Sequence, residues 1–198
     1  MKIELLEMSG FRSALEALRL PYGLECRSHT MFDQQFNAPQ IDDFCKEDDE
    51  LISLHSEAAI NPKDLQLMST LVRRGDEHAK VLRGIIVYTK ITAPIYWWWD
   101  LETYRAGHER LMSGSTMNAE CKGLSGEEIQ KVKGEIPFGR EITKVDYFSY
   151  QTLRRIYFQR RAHRLPEFHQ FCDWIKTLPY ADKLITVELK LNPDEGNH

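Results

Sequence analysis

The chain has 198 residues, of which 42% are hydrophobic and 28% are charged, and its net charge is -4. This length and composition predict a single domain over residues 1–198 with a core of its own. The negative charge argues against a broad basic surface for duplex nucleic acid, although a local basic patch remains compatible with it. No apolar run is long enough to span a bilayer, and no signal-like apolar segment follows Met1. We therefore expect a cytoplasmic protein with no membrane partner.

The four cysteines, Cys26, Cys45, Cys121 and Cys172, are spread along the chain without a CxxC pair. None has a histidine at metal-ligand spacing, so we expect no structural zinc and no other metal. Free thiols of this kind are typical of a reducing compartment.

The first predicted elements are a strand and a helix. "MKIELLEM" alternates in the manner of a strand, and "SGFRSALEALRL" has apolar residues at helical spacing. The polar, acidic stretch 32–49 is typical of a loop with a short helix. Asp42 and Asp43 in that stretch are candidate metal ligands, but a solvated acidic face is the commoner use of such residues.

A second helix is predicted after Asn61, which is a suitable N-cap, and Pro62, which suits the first turn. Gly75 breaks this helix, and a short helix follows from Asp76 to Leu82. "GIIVYTKIT" then has the β-branched composition of a buried strand.

The pattern after this strand predicts mostly helix and loop. A helix begins at Pro94, and one of its faces carries Trp97, Leu101, Tyr104, His108 and Leu111. A glycine-rich loop follows, broken by a short helix near Glu127–Val132 with Ser125 as its cap. The last helical region begins near Asp146 and turns at Leu165-Pro166, and "KLITVELKL" closes the chain as a strand. The predicted class is α+β, with a mixed or antiparallel sheet and long helices in one domain.

The order of elements in "RGDEHAKVLRGIIVYTKITAPIYWWW" is specific: a histidine heads a short helix, a strand follows, and Ala-Pro-Ile-aromatic opens a helix. This order resembles the flavin-dependent thymidylate synthases, or thymidylate synthase complementing proteins. Their segments run "GHxxxxEHxxFTF", "xxxAPIFxxRQxxRHR" and then the signature RHRxxSxNExSxR. The opening "MKIELLEMSG" and the later "TLRRIYFQRRAHRLPEFHQF" resemble further family segments. "YWWWDLETYRAG", "STM" and "LPYADKLI" resemble a divergent branch found in phages and the bacteria they infect.

With "APIY" set on the family's "APIF", His78 falls on the first histidine of "GHxxxxEH", and Arg105 and Ser113 keep their signature identities. The other signature positions differ: Thr103 and Tyr104 replace Arg-His, Arg110 and Leu111 replace Asn-Glu, and Ser115 replaces the final Arg. In the family these positions bind flavin and nucleotide phosphate. Either the site is rebuilt for another ligand, or the activity is lost.

The resemblance implies an enzyme, a flavin-dependent thymidylate synthase-like methyltransferase. It would transfer a methyl or one-carbon group to a pyrimidine deoxynucleotide, dUMP, with reduced FAD, and with methylenetetrahydrofolate and NADPH as co-substrates. It also implies a homotetramer. The alternative is a non-catalytic nucleotide-binding or protein-interaction module on the same fold, which the missing Arg-His pair and Glu favour. A third reading is single-stranded nucleic-acid binding by arginines and tryptophans, against which the acidic net charge argues.

Residue roles follow from the same resemblance and from the cations that phosphate requires. Ser113 and Arg164 are the candidates for the reacting site. The cofactor candidates are His78, Arg105, Trp97 and Tyr104. The substrate-binding candidates are Arg154, Arg161, Arg164, Ser115 and Thr116.

Each candidate also has a purely structural explanation. The arginine-rich segment 154–164 is compatible with a solvated basic face or with contacts to "KEDDE". Three successive tryptophans point around a helix, so at least one meets an interface, a ligand or another layer, while core or interface packing is the commoner use of each. "SGSTM" is compatible with a turn held by local Ser and Thr hydrogen bonds. His78 suits a helix cap, and His108 suits a buried position.

Overall fold

One four-stranded antiparallel sheet organises the part of the chain that the computed structural model describes, residues 1–22 and 60–189. Its strands are β1 (Lys2–Ser9), β2 (Ile86–Pro94), β3 (His108–Ser113) and β4 (Glu141–Ser149). They lie in the order β1-β2-β4-β3, so β1 and β3 are the edges. The α+β class with an antiparallel sheet, which the sequence predicts, is confirmed.

Helices connect these strands and cover one face of the sheet. In chain order they are α1 (Phe11–Arg19), α2 (Pro62–Arg73), α3 (Ile95–Leu101), α4 (Thr116–Ala119), α5 (Gly126–Glu135), α6 (Tyr150–Arg160), α7 (Pro166–Lys176) and α8 (Ala181–Leu184). Two 3-10 turns, Leu20–Tyr22 and Ala79–Arg83, complete the described elements. No helix in the described ranges is both long and apolar enough to cross a membrane.

Local signals fix several helix starts. The Asn61 side chain accepts a hydrogen bond from the Lys63 backbone nitrogen at 3.0 Å, which confirms it as the N-cap of α2. Ser125 and Glu128 form a capping box at the start of α5, as the sequence predicts for Ser125. Ser149 caps α6 by accepting from the Thr152 backbone nitrogen at 3.2 Å.

The core lies between the sheet and the helices. Alternate residues of β2 and β4 are buried on this face: Val87, Thr89, Ile91, Lys144, Asp146 and Phe148. The helices cover them with fully buried aromatic side chains, including Trp97, Phe168 and Phe171. On the opposite face, Tyr88 and Tyr147 form a cross-strand pair with ring centroids 5.8 Å apart. Because side chains alternate along a strand, the polar residues Lys144 and Asp146 must point into the helical side.

The long helix predicted from Pro94 is wrong in its second half. α3 ends at Leu101, and His108 begins β3 instead of continuing a helical face. Gly107, at φ 74°, reverses the chain between them. Pairing of His108 with Phe148 on β4 satisfies the backbone there, so the tertiary ladder overrides a helical spacing of apolar residues.

Two further predicted elements are also wrong. Asp146 lies inside β4, and the helix begins four residues later at Tyr150. Residues 183–189 are not a strand: α8 ends at Leu184, and the carbonyl oxygens of Ile185 and Val187 accept hydrogen bonds from the side chain of Arg154 rather than from a neighbouring strand.

The remaining predicted elements are either confirmed, changed in helix type, or located outside the described residues. β1, α1, β2 and the start of α7 at Pro166 are confirmed. The predicted short helix after Gly75 is a 3-10 turn. The acidic stretch 32–49, with Asp42 and Asp43, lies outside the described residues.

Candidate functional site

The segment between α3 and β3 carries Tyr104 and Arg105, and it is held through its backbone carbonyls. The Ala106 carbonyl accepts from the Thr152 hydroxyl at 2.6 Å, and the Gly107 carbonyl accepts from the Ser149 backbone nitrogen at 2.7 Å. The Arg105 side chain is exposed and makes no ion pair with a described residue. A loop anchored by these hydrogen bonds therefore presents a solvent-facing cation.

The Tyr104 side chain is tied to the end of α6. Its hydroxyl donates to Gln159 Oε1 at 2.8 Å and accepts from Arg160 Nε at 2.9 Å. The Arg160 guanidinium in turn lies 4.7 Å from the centroid of the Phe168 ring. Tyr104, a predicted cofactor residue, is thus half-buried with its hydroxyl already hydrogen-bonded inside the chain.

Ser113 ends β3 and opens a hydroxyl-rich turn. Its Oγ donates to the Gly114 carbonyl at 3.1 Å, and Ser115 Oγ accepts from the Asn118 backbone nitrogen at 3.3 Å. Thr116 begins α4 directly afterwards. The predicted local Ser bonds are present, and the Ser115 side chain also remains exposed to solvent.

The three predicted phosphate-binding arginines lie in different environments. Arg154 is 5% exposed, and its Nη1 donates to Ile185 O at 2.8 Å and Val187 O at 2.5 Å. Arg161 is exposed and bonds Glu188 Oε1 at 2.8 Å. Arg164 is exposed and makes no ion pair with a described residue. Arg164 is therefore available to a ligand as it stands, whereas Arg154 holds the segment after α8.

The three tryptophans are divided between core and surface. Trp97 and Trp98 are buried, with ring centroids 5.0 Å apart, and Trp97 also packs on Phe168 and Phe171. Trp99 is 66% exposed. Trp97 accordingly has core packing and presents no free ring face to a cofactor.

Trp99 forms one wall of an apolar groove of 330 Å³, lined by Tyr96, Trp99, Asp100, Phe138 and Leu165. The Phe138 ring lies 4.7 Å from Trp99, centroid to centroid, and is itself half-exposed. The Tyr96 hydroxyl donates to Glu167 Oε1 at 2.5 Å, and this hydrogen bond raises the pKa of Tyr96. Phe138 was not predicted, because it lies far from Trp99 in a glycine-rich segment.

A buried polar pair joins β3 to β4. His108 Nε2 lies 2.8 Å from Asp146 Oδ2, and the imidazole stacks on Phe148 with ring centroids 4.4 Å apart. His108 Nδ1 lies 3.1 Å from the Tyr104 carbonyl oxygen. The predicted burial of His108 is confirmed, and its ring also fixes the loop that carries Arg105.

Next to this pair, two cations converge on one carboxylate. Lys144 Nζ lies 2.6 Å from Glu102 Oε1, and Arg110 bonds the same oxygen. Burial and then the nearby charge of Arg110 lower the pKa of Lys144 to about 8. Sequence reasoning missed Lys144 and Asp146, although the alternation in "EITKVDYFS" is a strand signal that would have placed both on one face.

His78 lies at the N-cap of the 3-10 turn Ala79–Arg83, where its side chain makes no capping hydrogen bond and is exposed. Arg155 on α6 bonds Asp76 at 3.1 Å, which ties the residues just before this turn to α6. Among the described residues, no group of three or more His, Cys, Asp or Glu is arranged to hold a metal ion.

Solved structures with the same architecture include a flavin-dependent thymidylate synthase and a nucleotide methylase. The ThyX protein of Helicobacter pylori, complexed with FAD and dUMP, superposes with a TM-score of 0.60 at 12% identity, over 96% of this chain and 100% of that one. A second structure of that protein with both ligands gives 0.61 at 12% identity, over 94% and 98%. The UMP/dUMP methylase PolB of Streptomyces cacaoi, bound with 5-Br dUMP, gives 0.59 at 13% identity, over 97% of each chain.

This chain therefore has a ThyX-like fold. No protein-family model and no curated protein matches the chain. At 12–13% identity the likeness concerns the fold, and the site must be argued from this chain's own residues.

Proposed function

We propose that this chain binds a pyrimidine deoxynucleotide, dUMP, and transfers a methyl group to it as a divergent flavin-dependent thymidylate synthase-like enzyme. Reduced FAD would be the cofactor, and methylenetetrahydrofolate and NADPH the co-substrates. The observation that carries the proposal is the fold match over 96% of this chain and 100% of a protein complexed with FAD and dUMP. It is supported by Arg105 and Ser113, which keep their identities in the signature.

On the substrate side, the proposed phosphate ligands are exposed cations and hydroxyls. Arg164 makes no ion pair with a described residue, so its planar guanidinium can bind a phosphate through two hydrogen bonds. Ser115 and the backbone at Thr116 supply further donors, and Ser113 would lie beside the base. Arg161 would join them if its exposed bond to Glu188 opens, since such surface pairs contribute about 0–1 kcal/mol. Arg154 is left out, because its buried guanidinium bonds two backbone carbonyls.

On the cofactor side, the described residues fit the phosphates of FAD better than its ring. Arg105 and His78 are exposed and are proposed to bind the diphosphate, and the Tyr104 ring, held by α6, would border the flavin. Trp97 is left out because it is fully buried. When bound, reduced flavin supplies the reducing equivalents that turn a methylene group into a methyl group. The chain itself would orient the nucleotide and exclude water.

A non-catalytic nucleotide-binding module remains the second candidate. It is favoured by two positions at which this chain departs from the family signature, because their side chains already form hydrogen bonds or ion pairs within the chain. The Tyr104 hydroxyl bonds Gln159 and Arg160, and the Arg110 guanidinium bonds Glu102. Both candidates require nucleotide binding, and only the first requires methylation.

We also propose that the protein is a homo-oligomer, a tetramer by its resemblance to the family. The exposure of Trp99, at 66%, and of Phe138, at 48%, is compatible with an interface at the groove. Light scattering coupled to size-exclusion chromatography would give the mass in solution. A monomer at micromolar concentration would contradict this part of the proposal.

The ligand test combines absorbance spectra with thermal unfolding. We expect bound FAD to show a perturbed visible band, and dUMP to raise the melting temperature, because a ligand of the native state stabilises it. Arg164→Ala should lose the dUMP shift, whereas Arg12→Ala, an exposed arginine on α1, should keep it. If neither FAD nor dUMP perturbs the wild-type protein, the proposal is wrong. Binding of dUMP without FAD favours the second candidate.

A further inference from the structure

Two cations share one carboxylate oxygen at the end of α3. Lys144 Nζ lies 2.6 Å from Glu102 Oε1, and Arg110 Nη2 bonds the same atom. The Lys144 side chain is only 8% exposed, and its Nζ lies 4.4 Å from the centroid of the buried Trp98 ring. A single carboxylate neutralises one of these two cations, so the cluster of Glu102, Arg110 and Lys144 has an excess positive charge.

The neighbouring His108–Asp146 pair does not remove that excess. The Tyr104 carbonyl can only accept, so His108 Nδ1 must carry a proton to bond it at 3.1 Å. A second proton must then lie between Nε2 and Asp146 Oδ2, which are 2.8 Å apart. Whichever atom holds this proton, the histidine and the aspartate together are neutral. The pair therefore adds no net negative charge to the cluster, although the Asp146 carboxylate favours the charged form of Lys144.

Glu102 is poorly held apart from these two contacts. It is the C-cap residue of α3, and the C-terminal end of a helix has a partial negative charge that repels a carboxylate. Its side chain is 37% exposed, so it can turn into water without breaking the core. Arg110 is 39% exposed and can be reached from solvent.

The two cations of the cluster lie on the same strands as the signature serine. Ser113 pairs with Lys144 across β3 and β4, and Arg110 pairs with Asp146. Directly paired residues project to the same face of an antiparallel sheet. The family signature has Asn where this chain has Arg110, so this cation is a departure from that pattern.

We propose that Arg110 and Lys144 form a binding site for a phosphate dianion, and that Glu102 occupies this site until an incoming phosphate displaces it. A dianion would balance both cations, which the single carboxylate does not. Glu102 would thus act as an internal competitor that lowers the apparent affinity for phosphate. The inference does not depend on methylation or on FAD, because inorganic phosphate alone can test it.

The decisive variant is Glu102→Gln, titrated with inorganic phosphate by isothermal calorimetry. Removal of the competitor should raise the affinity for phosphate about threefold to fivefold over the wild-type protein, in line with the energy of a partly exposed ion pair. Glu109→Gln is the matched control, because it also removes one negative charge. Glu109 is an exposed residue of β3, and its ladder partner, Tyr147, lies on the face of the sheet opposite to the cluster. Its affinity should stay within about twofold of wild type.

Two further variants test the cations. Arg110→Ala and Lys144→Met, each combined with Glu102→Gln, should remove the gain in affinity. Lys144→Met keeps an apolar side chain against Trp98. If the Lys144→Met variant does not fold, the Arg110→Ala variant still tests the site, because Arg110 is half-exposed. Equal phosphate affinities for Glu102→Gln and Glu109→Gln would overturn the inference. So would a gain that persists after Arg110→Ala.

Nucleotide and cofactor phosphates are distinguished by competition. Inorganic phosphate that displaces dUMP from the Glu102→Gln variant assigns the site to the nucleotide, and displacement of FAD assigns it to the cofactor. Failure of the methylation proposal is separable. If the wild-type protein binds neither dUMP nor FAD, the proposed function is wrong. If the Glu102→Gln variant nevertheless gains affinity for phosphate, the phosphate site inferred here is still supported.

Discussion

Gly107 lies directly against Ser149 at the start of α6. The Gly107 carbonyl accepts from the Ser149 backbone nitrogen at 2.7 Å, and a Cβ on Gly107 would lie 2.5 Å from Ser149 Oγ and 2.6 Å from Thr152 Oγ1. This close approach holds the loop with Arg105 against the start of α6 where the chain enters β3. Position 107 requires glycine for two reasons: there is no room for a Cβ, and its φ of 74° is unfavourable for other residues.

We expect Gly107→Ala to lower the free energy of unfolding by about 3 kcal/mol, since the φ strain of 1–2 kcal/mol is joined by overpacking. Gly123→Ala is the control, because Gly123 has a similar φ of 82° but open space around it. That variant should lose only the φ strain, about 1–2 kcal/mol. Urea unfolding measures both, and equal losses would contradict the crowding.

Asp146→Asn should destabilise the protein by about 3 kcal/mol, because it removes one partner of a buried pair. The substitution keeps the volume of a residue that is fully buried beside His108. Glu109→Gln, on the exposed side of β3, should change stability by less than about 0.5 kcal/mol. Urea midpoints of the two variants give the comparison, and an Asp146→Asn protein as stable as wild type would show that the pair is dispensable.

Arg154 and Arg164 are expected to separate stability from binding. Arg154→Met should cost roughly 3 kcal/mol, because it leaves the carbonyls of Ile185 and Val187 without their charged donor. Arg164→Ala should cost less than about 0.5 kcal/mol, since the side chain is exposed. Thermal melts without ligand test both values.

The dUMP affinity of the Arg164→Ala variant is a separate expectation. Loss of a charge-assisted bond to phosphate is worth about 1.5–3 kcal/mol, so the dissociation constant should rise at least tenfold. Calorimetry on this variant and on Arg12→Ala provides the measurement. An unchanged dissociation constant would remove Arg164 from the proposed site.

Because the pKa of Lys144 is lowered by folding, we expect the free energy of unfolding to rise at alkaline pH. Its pKa is lowered to about 8 in the folded protein, from the ordinary 10.5, by burial and by Arg110. Between these values the unfolded chain binds more protons than the folded one, so the free energy of unfolding increases with pH. Glu102 and Asp146 are the carboxylates that face Lys144, with His108 paired to Asp146.

The difference between wild type and Lys144→Met isolates this effect from other groups that titrate in the same range. Its slope should be positive from pH 8 to 10.5 and flat below pH 7. Chemical unfolding of both proteins at a series of pH values measures this difference in the free energy of unfolding. A difference that does not change with pH would mean that Lys144 has an ordinary pKa in the folded state.

The sequence predicts correctly the elements whose signals are local. The cap at Asn61, the capping box at Ser125 and the β-branched run of β2 are short-range features, and each is present in the structure. The order of these elements also led to the fold that the solved structures share.

The misses concern residues whose structure depends on distant partners. β3 exists because β4 pairs with it, and a helical spacing from Trp97 to Leu111 cannot reveal a ladder with residues 31 to 40 positions away. The sequence predicts Arg154 as a ligand residue, because the carbonyls that its side chain bonds come 31 and 33 residues later in the chain. The cluster of Glu102, Arg110 and Lys144 depends on that same unpredicted pairing.

Incubation of the purified protein with dUMP, methylenetetrahydrofolate, FAD and NADPH tests the central claim most directly, with mass spectrometry of the nucleotides. The account predicts a product heavier than dUMP by one methylene unit, formed by wild type and by Arg12→Ala but strongly reduced in Arg164→Ala. Unmodified dUMP after prolonged incubation, with a protein that binds dUMP but takes up no FAD, would contradict the enzymatic proposal and leave a nucleotide-binding module.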